Sequence, residues 1–158
     1  MKWAWKVGRV AGIEIRLHAT FLLLLLWIGM VHYLEARNLR AAGLAVLFIL
    51  AVFAVIVLHE LGHALTARRF GVRTFDITLL PIGGIARLDR IPELPRQEFL
   101  IAIAGPAVNL ALAWILFTLL GPHLTELGIL SRLETPAGFF TRLAYVNLAL
   151  ALFNLLPA

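Results

Sequence analysis

The chain has 158 residues, 61% of them hydrophobic, with no cysteine and a formal net charge of +5. Soluble domains use about 45–50% apolar residues, so this composition belongs to an integral membrane protein; disulfides are excluded, and any metal site must be built from His and carboxylates. The positive charge does not indicate nucleic acid, because Lys and Arg lie between apolar runs with no aromatic-basic module, where they serve as topology signals and lipid-headgroup contacts.

Residues 1–12 are basic and aromatic, with Trp3, Trp5, Lys2, Lys6 and Arg9, and are expected to lie on the membrane surface. Residues 13–17 alternate apolar and polar side chains, the period of a short half-buried strand. The apolar run from Leu17 to Leu34 predicts a first transmembrane helix. A basic start before such a run also describes a signal peptide, but no small-residue cleavage site follows closely. Residues 35–40 predict a polar turn.

The second apolar run, Ala41 to Phe70, is about 45 Å long as a helix. That exceeds the roughly 30 Å of hydrocarbon in a bilayer, so its end must emerge or lie in protein. Residues 71–97 form the sizeable polar stretch. Within it, residues 72–79 alternate, Pro81 to Gly84 breaks the chain, and residues 85–89 can return as a second strand. Together with residues 13–17 this predicts a small sheet at the membrane surface.

Pro92 and Pro95 lead into a third run, Phe99 to Leu120, with Asn109 as its conspicuous polar member and Gly105-Pro106 able to loosen the helix or admit close packing. A loop over residues 121–136 precedes the fourth run, Phe139 to Leu156, which carries Asn147 and Asn154. The expected fold class is therefore an α-helical polytopic membrane protein with about four transmembrane helices and a small membrane-surface β-sheet.

Charge sets the expected orientation. Lys2, Lys6, Arg9 and Arg16 precede the first helix, and Arg68, Arg69, Arg73, Arg87, Arg90 and Arg96 follow the second. Arg37 and Arg40 are the pair in the first turn, and Arg132 stands alone in the third loop. The positive-inside rule then puts the N-terminus and residues 68–97 in the cytoplasm.

The second run ends in His59-Glu60-Leu61-Gly62-His63. Histidines four residues apart lie on one helix face, so both imidazoles can reach one metal ion. The glutamate between them can take a proton from a water activated by the metal, the arrangement of a zinc hydrolase. A buried polar cluster without metal, or a transporter site, is the plainer alternative for ionisable side chains in a membrane helix. Counted from Leu44, His59 lies about 22 Å and His63 about 28 Å along the helix, inside the membrane but near one face.

Zinc needs a third protein ligand, and the candidates are weak. His18 and His32 flank the first helix and are expected to snorkel, while Asp76 and Asp89 read as solvated charge. Asn147 is expected to hydrogen-bond between helices. Asn109 is a candidate for contacting substrate or stabilising an oxyanion.

Four motifs in this order resemble the site-2 protease family, intramembrane zinc metalloproteases, and most closely its prokaryotic branch, whose members often carry C-terminal CBS domains. They are His59-Glu60-Leu61-Gly62-His63, Gly83-Gly84-Ile85-Ala86, Ala104-Gly105-Pro106-Ala107-Val108-Asn109 and Phe153-Asn154-Leu155-Leu156-Pro157. The resemblance implies one Zn2+ held by His59 and His63, Glu60 as general base and Asn109 as a catalytic helper.

It further implies membrane-protein substrates cleaved in regulated intramembrane proteolysis, with a prokaryotic cell membrane as the location. In the family an aspartate-glycine motif follows the fourth motif and supplies the third ligand. Residues 1–158 are thus expected to be the N-terminal part of a transmembrane catalytic domain that stops before that ligand. A catalytically inactive protease-like binder and a metal-binding transporter are the rival functions.

Overall fold

The computed structural model describes residues 3–90, 92, 94–120 and 135–156. The chain runs β1 (Ala4–Val10), β2 (Ile13–His18), α1 (Ala19–Ala36), α2 (Leu39–Arg69), β3 (Thr74–Leu80), β4 (Gly83–Leu88), α3 (Pro95–Leu120) and α4 (Pro136–Leu155). Among the described residues, four helices are long and apolar enough to cross a membrane. The four strands form one sheet in the order β1-β2-β3-β4. An α-helical polytopic membrane protein with a small sheet is therefore the observed architecture.

Local chemistry explains the joints. Ala11 and Gly12 both have positive φ, 51° and 88°, which gives the two-residue turn whose twist suits a tight antiparallel hairpin; Val10 pairs with Ile13 across it. His18 caps α1, its Nδ1 accepting from the Thr20 amide. The turn expected over residues 35–40 shrinks to two residues. Arg37 closes α1 in the left-handed region, and Asn38 Oδ1 accepts from the Arg40 amide at 2.9 Å to start α2. The α1–α2 hairpin is the crossover that brings β3 back parallel to β2, with Ile15 opposite Ile77.

Side-chain alternation gives the sheet two unlike faces. Ile13, Ile15, Ile77 and Leu79 turn inward and form a core with Phe21 of α1 and Phe53, Leu61 and Ala64 of α2. Phe21 and Phe53 meet edge-to-face at 4.4 Å, a geometry favoured by the ring quadrupoles. The sheet is thus seated on the flank of α2 beside His59 and His63. Phe48 packs on Phe139 and Phe117 on Tyr145, which ties α4 to α2 and α3.

Three expectations change. The surface segment expected over residues 1–12 contains a strand, β1, paired along its length with β2. A register shift between Lys6 and Gly8 breaks the two-residue period that would have announced it. Asp76 is not solvated: it is 2% exposed in the middle of the sheet, bonded to the Arg87 guanidinium and within 3.6 Å of Arg16 Nε. Asn147 is fully buried but donates to Leu143 O of its own helix at 2.8 Å rather than to a neighbouring one. The loop expected over residues 121–136 lies mostly outside the described residues.

The outer face of the sheet is ionic. Glu14 accepts from Lys6 at 2.9 Å, Arg16 at 3.0 Å and Arg9 at 3.2 Å, and these cations hold its carboxyl down at about 2. Because folding lowers this pKa, the stabilisation is fully present above the unfolded value near 4.5 and is lost as the pH falls toward 2. Glu14→Gln should therefore flatten the loss of amide-exchange protection in β1 and β2 between pH 4.5 and 2. Equal acid slopes in the two proteins would remove Glu14 from the acid response.

Candidate active site

Helix α2 carries His59, Glu60 and His63 on its last third, and two glycines decide what meets them. A Cβ on Gly62 would lie 2.8 Å from the Ala104 carbonyl oxygen and 2.9 Å from a Val108 methyl, so α2 and α3 approach more closely here than a larger residue allows. A Cβ on Gly105 would collide with the His63 ring and lie 2.7 Å from His59 Nε2. The α3 backbone at Gly105 therefore closes one side of the histidine pair. Pro106 follows within an unbroken α3, so the Gly105-Pro106 step serves close packing.

The two imidazoles converge on their Nε2 atoms, which are 3.0 Å apart. His63 Nδ1 lies 2.6 Å from the Ile101 carbonyl oxygen. A carbonyl only accepts, so Nδ1 carries the proton and Nε2 presents its lone pair, the tautomer a metal ligand requires. His59 is 6% exposed, and its Nδ1 is buried with no hydrogen-bond partner. Asn109, fully buried one turn beyond Gly105, lies beside His59. Neither of its side-chain polar atoms completes a hydrogen bond.

This donor set fits zinc. Two nitrogens at zinc–nitrogen distances of about 2.0–2.1 Å in a tetrahedron are about 3.3 Å apart, so the 3.0 Å pair needs to open by a few tenths of an ångström. The unsatisfied His59 Nδ1 and Asn109 amide mark a polar, buried spot where purely apolar packing would leave none. Glu60, partly buried, points toward β4: a Cβ on Gly84 would lie 2.8 Å from its Cγ. The Gly83-Gly84 start of β4 is thus the segment of sheet that reaches the carboxylate.

The weak third-ligand candidates are engaged elsewhere. His18 caps α1, and His32 Nδ1 is 2.9 Å from Ile28 O of its own helix. Asp76 is held in the sheet, and Asp89 Oδ1 accepts from the Arg73 amide. Among the described residues, no third His, Cys, Asp or Glu joins His59 and His63 to form a ligand set. Asn154 is exposed and donates to Leu150 O. Ile101, whose carbonyl orients His63, has no signature as a residue type; its position four before Gly105 on one face of α3 is the trace it leaves in the sequence.

Comparison with known proteins bears on the family and the fold. The model of peptidase family M50 matches residues 47–135. A zinc metalloprotease of Methanocaldococcus jannaschii is 37% identical over 158 residues, which is 100% of this chain and 42% of that relative. The chain spans about two fifths of the length of the first curated relatives it matches. The solved structure of the site-2 protease from Methanocaldococcus jannaschii superposes with a TM-score of 0.71 at 33% identity, covering 99% of this chain and 66% of that one. The family match takes in more than half of the chain, including the stretches of α2 and α3 that bring His59, His63 and Gly105 together, and so the chain belongs to peptidase family M50, the site-2 protease family.

Proposed function

We propose that the chain is the N-terminal part of the transmembrane catalytic domain of an intramembrane zinc metalloendopeptidase, which cleaves transmembrane segments of membrane proteins in regulated proteolysis. The observation that carries this reading is the convergence of His59 and His63 Nε2 at 3.0 Å beside Glu60, on a helix apolar enough to span a membrane. His59 and His63 would hold one Zn2+, with the third ligand supplied by the aspartate that the family resemblance implies beyond Pro157. Bound zinc lowers the pKa of a water and polarises the peptide carbonyl.

Glu60 takes the proton from the attacking water and passes it to the leaving amine. Asn109, buried beside His59 with its amide unpaired, turns toward the oxygen that gains charge during attack. A helical substrate hides its carbonyls in its own hydrogen bonds and has to unwind first. β4 is an edge strand of the sheet, so an unwound segment can add to it and remake those bonds next to Glu60. The basic segments before α1 and after α2 belong to one sheet, hence to one side of the membrane. Their arginines favour the cytoplasmic side of a prokaryotic cell membrane.

The test uses the full-length protein purified from membranes and a transmembrane reporter substrate. About one zinc per chain and cleavage that stops on chelation and returns with zinc are expected. Zinc bound without cleavage would favour a protease-like binder, and rapidly exchanging metal with no cleavage would favour a transporter; either overturns the reading.

A further inference from the structure

Where α2 ends, two adjoining cavities open between the β1–β2 turn, the start of β3 and the ionic face of the sheet. One, of about 790 Å³, is lined by Arg68 and Arg73; the other, of about 610 Å³, by Arg9, Arg16, Arg73 and Arg87. Gly12, Arg73 and Thr74 line both, so they form one groove. Its cations outnumber its carboxylates. Glu14 and Asp76 line it, and both are already saturated: Glu14 accepts from Lys6, Arg9 and Arg16, while Asp76 is bonded to Arg87 and faces Arg16.

Asp89 binds the Arg73 backbone amide and does not line either cavity. Arg68 reaches only the Ala11 carbonyl, at 3.2 Å, among its described contacts. The Arg68 and Arg73 guanidiniums are both exposed, and among the described residues neither forms an ion pair with a carboxylate. The depressed Glu14 carboxyl reports how positive the surroundings are.

We propose that this groove is a binding site for a phosphate-bearing anion, and that the anion is the headgroup of an acidic phospholipid. Guanidinium forks match phosphate oxygens in pairs. The position selects the source. Arg68 and Arg69 end α2 and are the first cations on it after Arg40, beyond its membrane-length apolar stretch, which sets the groove at the height of the headgroups. A seated headgroup would bridge α2, the β1–β2 hairpin and β3, and so would fix the sheet relative to the bilayer surface. The site stands apart from His59 and His63 and does not rest on the protease reading.

The test is lipid retention by the full-length protein in nanodiscs of phosphatidylcholine with about one third phosphatidylglycerol, read by native mass spectrometry after extraction. Wild type should retain phosphatidylglycerol, with retention falling as salt rises. Arg73→Gln should retain about fivefold less, as expected for one cation at a charged surface, and Arg68→Gln/Arg73→Gln less again, while Arg73→Lys recovers part. Arg37→Gln, which removes a cation in the α1–α2 turn, should retain as wild type does. Melting temperatures in pure phosphatidylcholine separate a folding defect from a lost site, with Arg73→Gln alone carrying the test if the double variant fails to fold. Equal retention by wild type and Arg73→Gln overturns the site, and retention abolished by millimolar inorganic phosphate overturns the lipid as its source.

Discussion

Glu60→Gln in the full-length protein should leave about one zinc per chain bound while lowering cleavage of a transmembrane substrate by about 10²–10⁴-fold, the usual worth of a positioned general base. The substitution is nearly isosteric, so the packing of Glu60 against Gly84 survives. His59, His63 and the Ile101 carbonyl are untouched, so the donor pair stays as it is. What disappears is the capacity to take a proton. Cleavage at the wild-type rate would sink the assignment of Glu60, and loss of zinc together with cleavage would show that Glu60 serves the metal rather than the water.

The second large effect is expected at a glycine. Gly105→Ala would put a methyl group into the His63 ring and 2.7 Å from His59 Nε2. Neither obstacle is a free-swinging chain end. His63 is held to Ile101 O of the same helix that would carry the methyl group, and His59 is buried. Overpacking of this kind costs about 1–3 kcal/mol, relieved by moving α3 outward, which withdraws the Ile101 carbonyl that orients His63, or by rotating the rings, which turns the two Nε2 atoms off their common point. Gly105→Ala should therefore fold with lowered stability, lose most of its zinc and lose cleavage with it. Gly43→Ala on α2, where a Cβ meets nothing within 4 Å, should be neutral or slightly stabilising in the same assays. Full zinc occupancy in Gly105→Ala would mean that the α3 backbone does not constrain the pair.

The structure also changes how Asn109 is understood. In sequence it is a polar residue in an apolar run, and a role toward substrate is one chemical use for it. In the fold it is completely buried beside His59, with both side-chain polar atoms short of hydrogen-bond geometry. The same amide that can face a developing oxyanion is also near enough to orient the His59 imidazole, two uses that the His59 contact makes inseparable by simple deletion.

Much of this architecture was written in the order of residues. Apolar runs of membrane length have one economical conformation in a bilayer, because every amide must bond within its own segment, so the four helices were legible to within a few residues at their ends. The spacing of His59 and His63 likewise places two rings on one face of α2 by helix geometry alone. Strands β2 and β3 showed themselves by a two-residue alternation and β4 by the chain break at Pro81 to Gly84, while β1 did not, because its bulge interrupts that period.

Only the tertiary structure decided how the pieces meet. Which carbonyl fixes the His63 tautomer, which backbone closes on the pair and which carboxylate is buried are matters of contacts between elements far apart in sequence. Ile101, Gly105 and Asp76 acquire their roles from α2 or β4, and no local pattern of polarity encodes a partner 38 residues away.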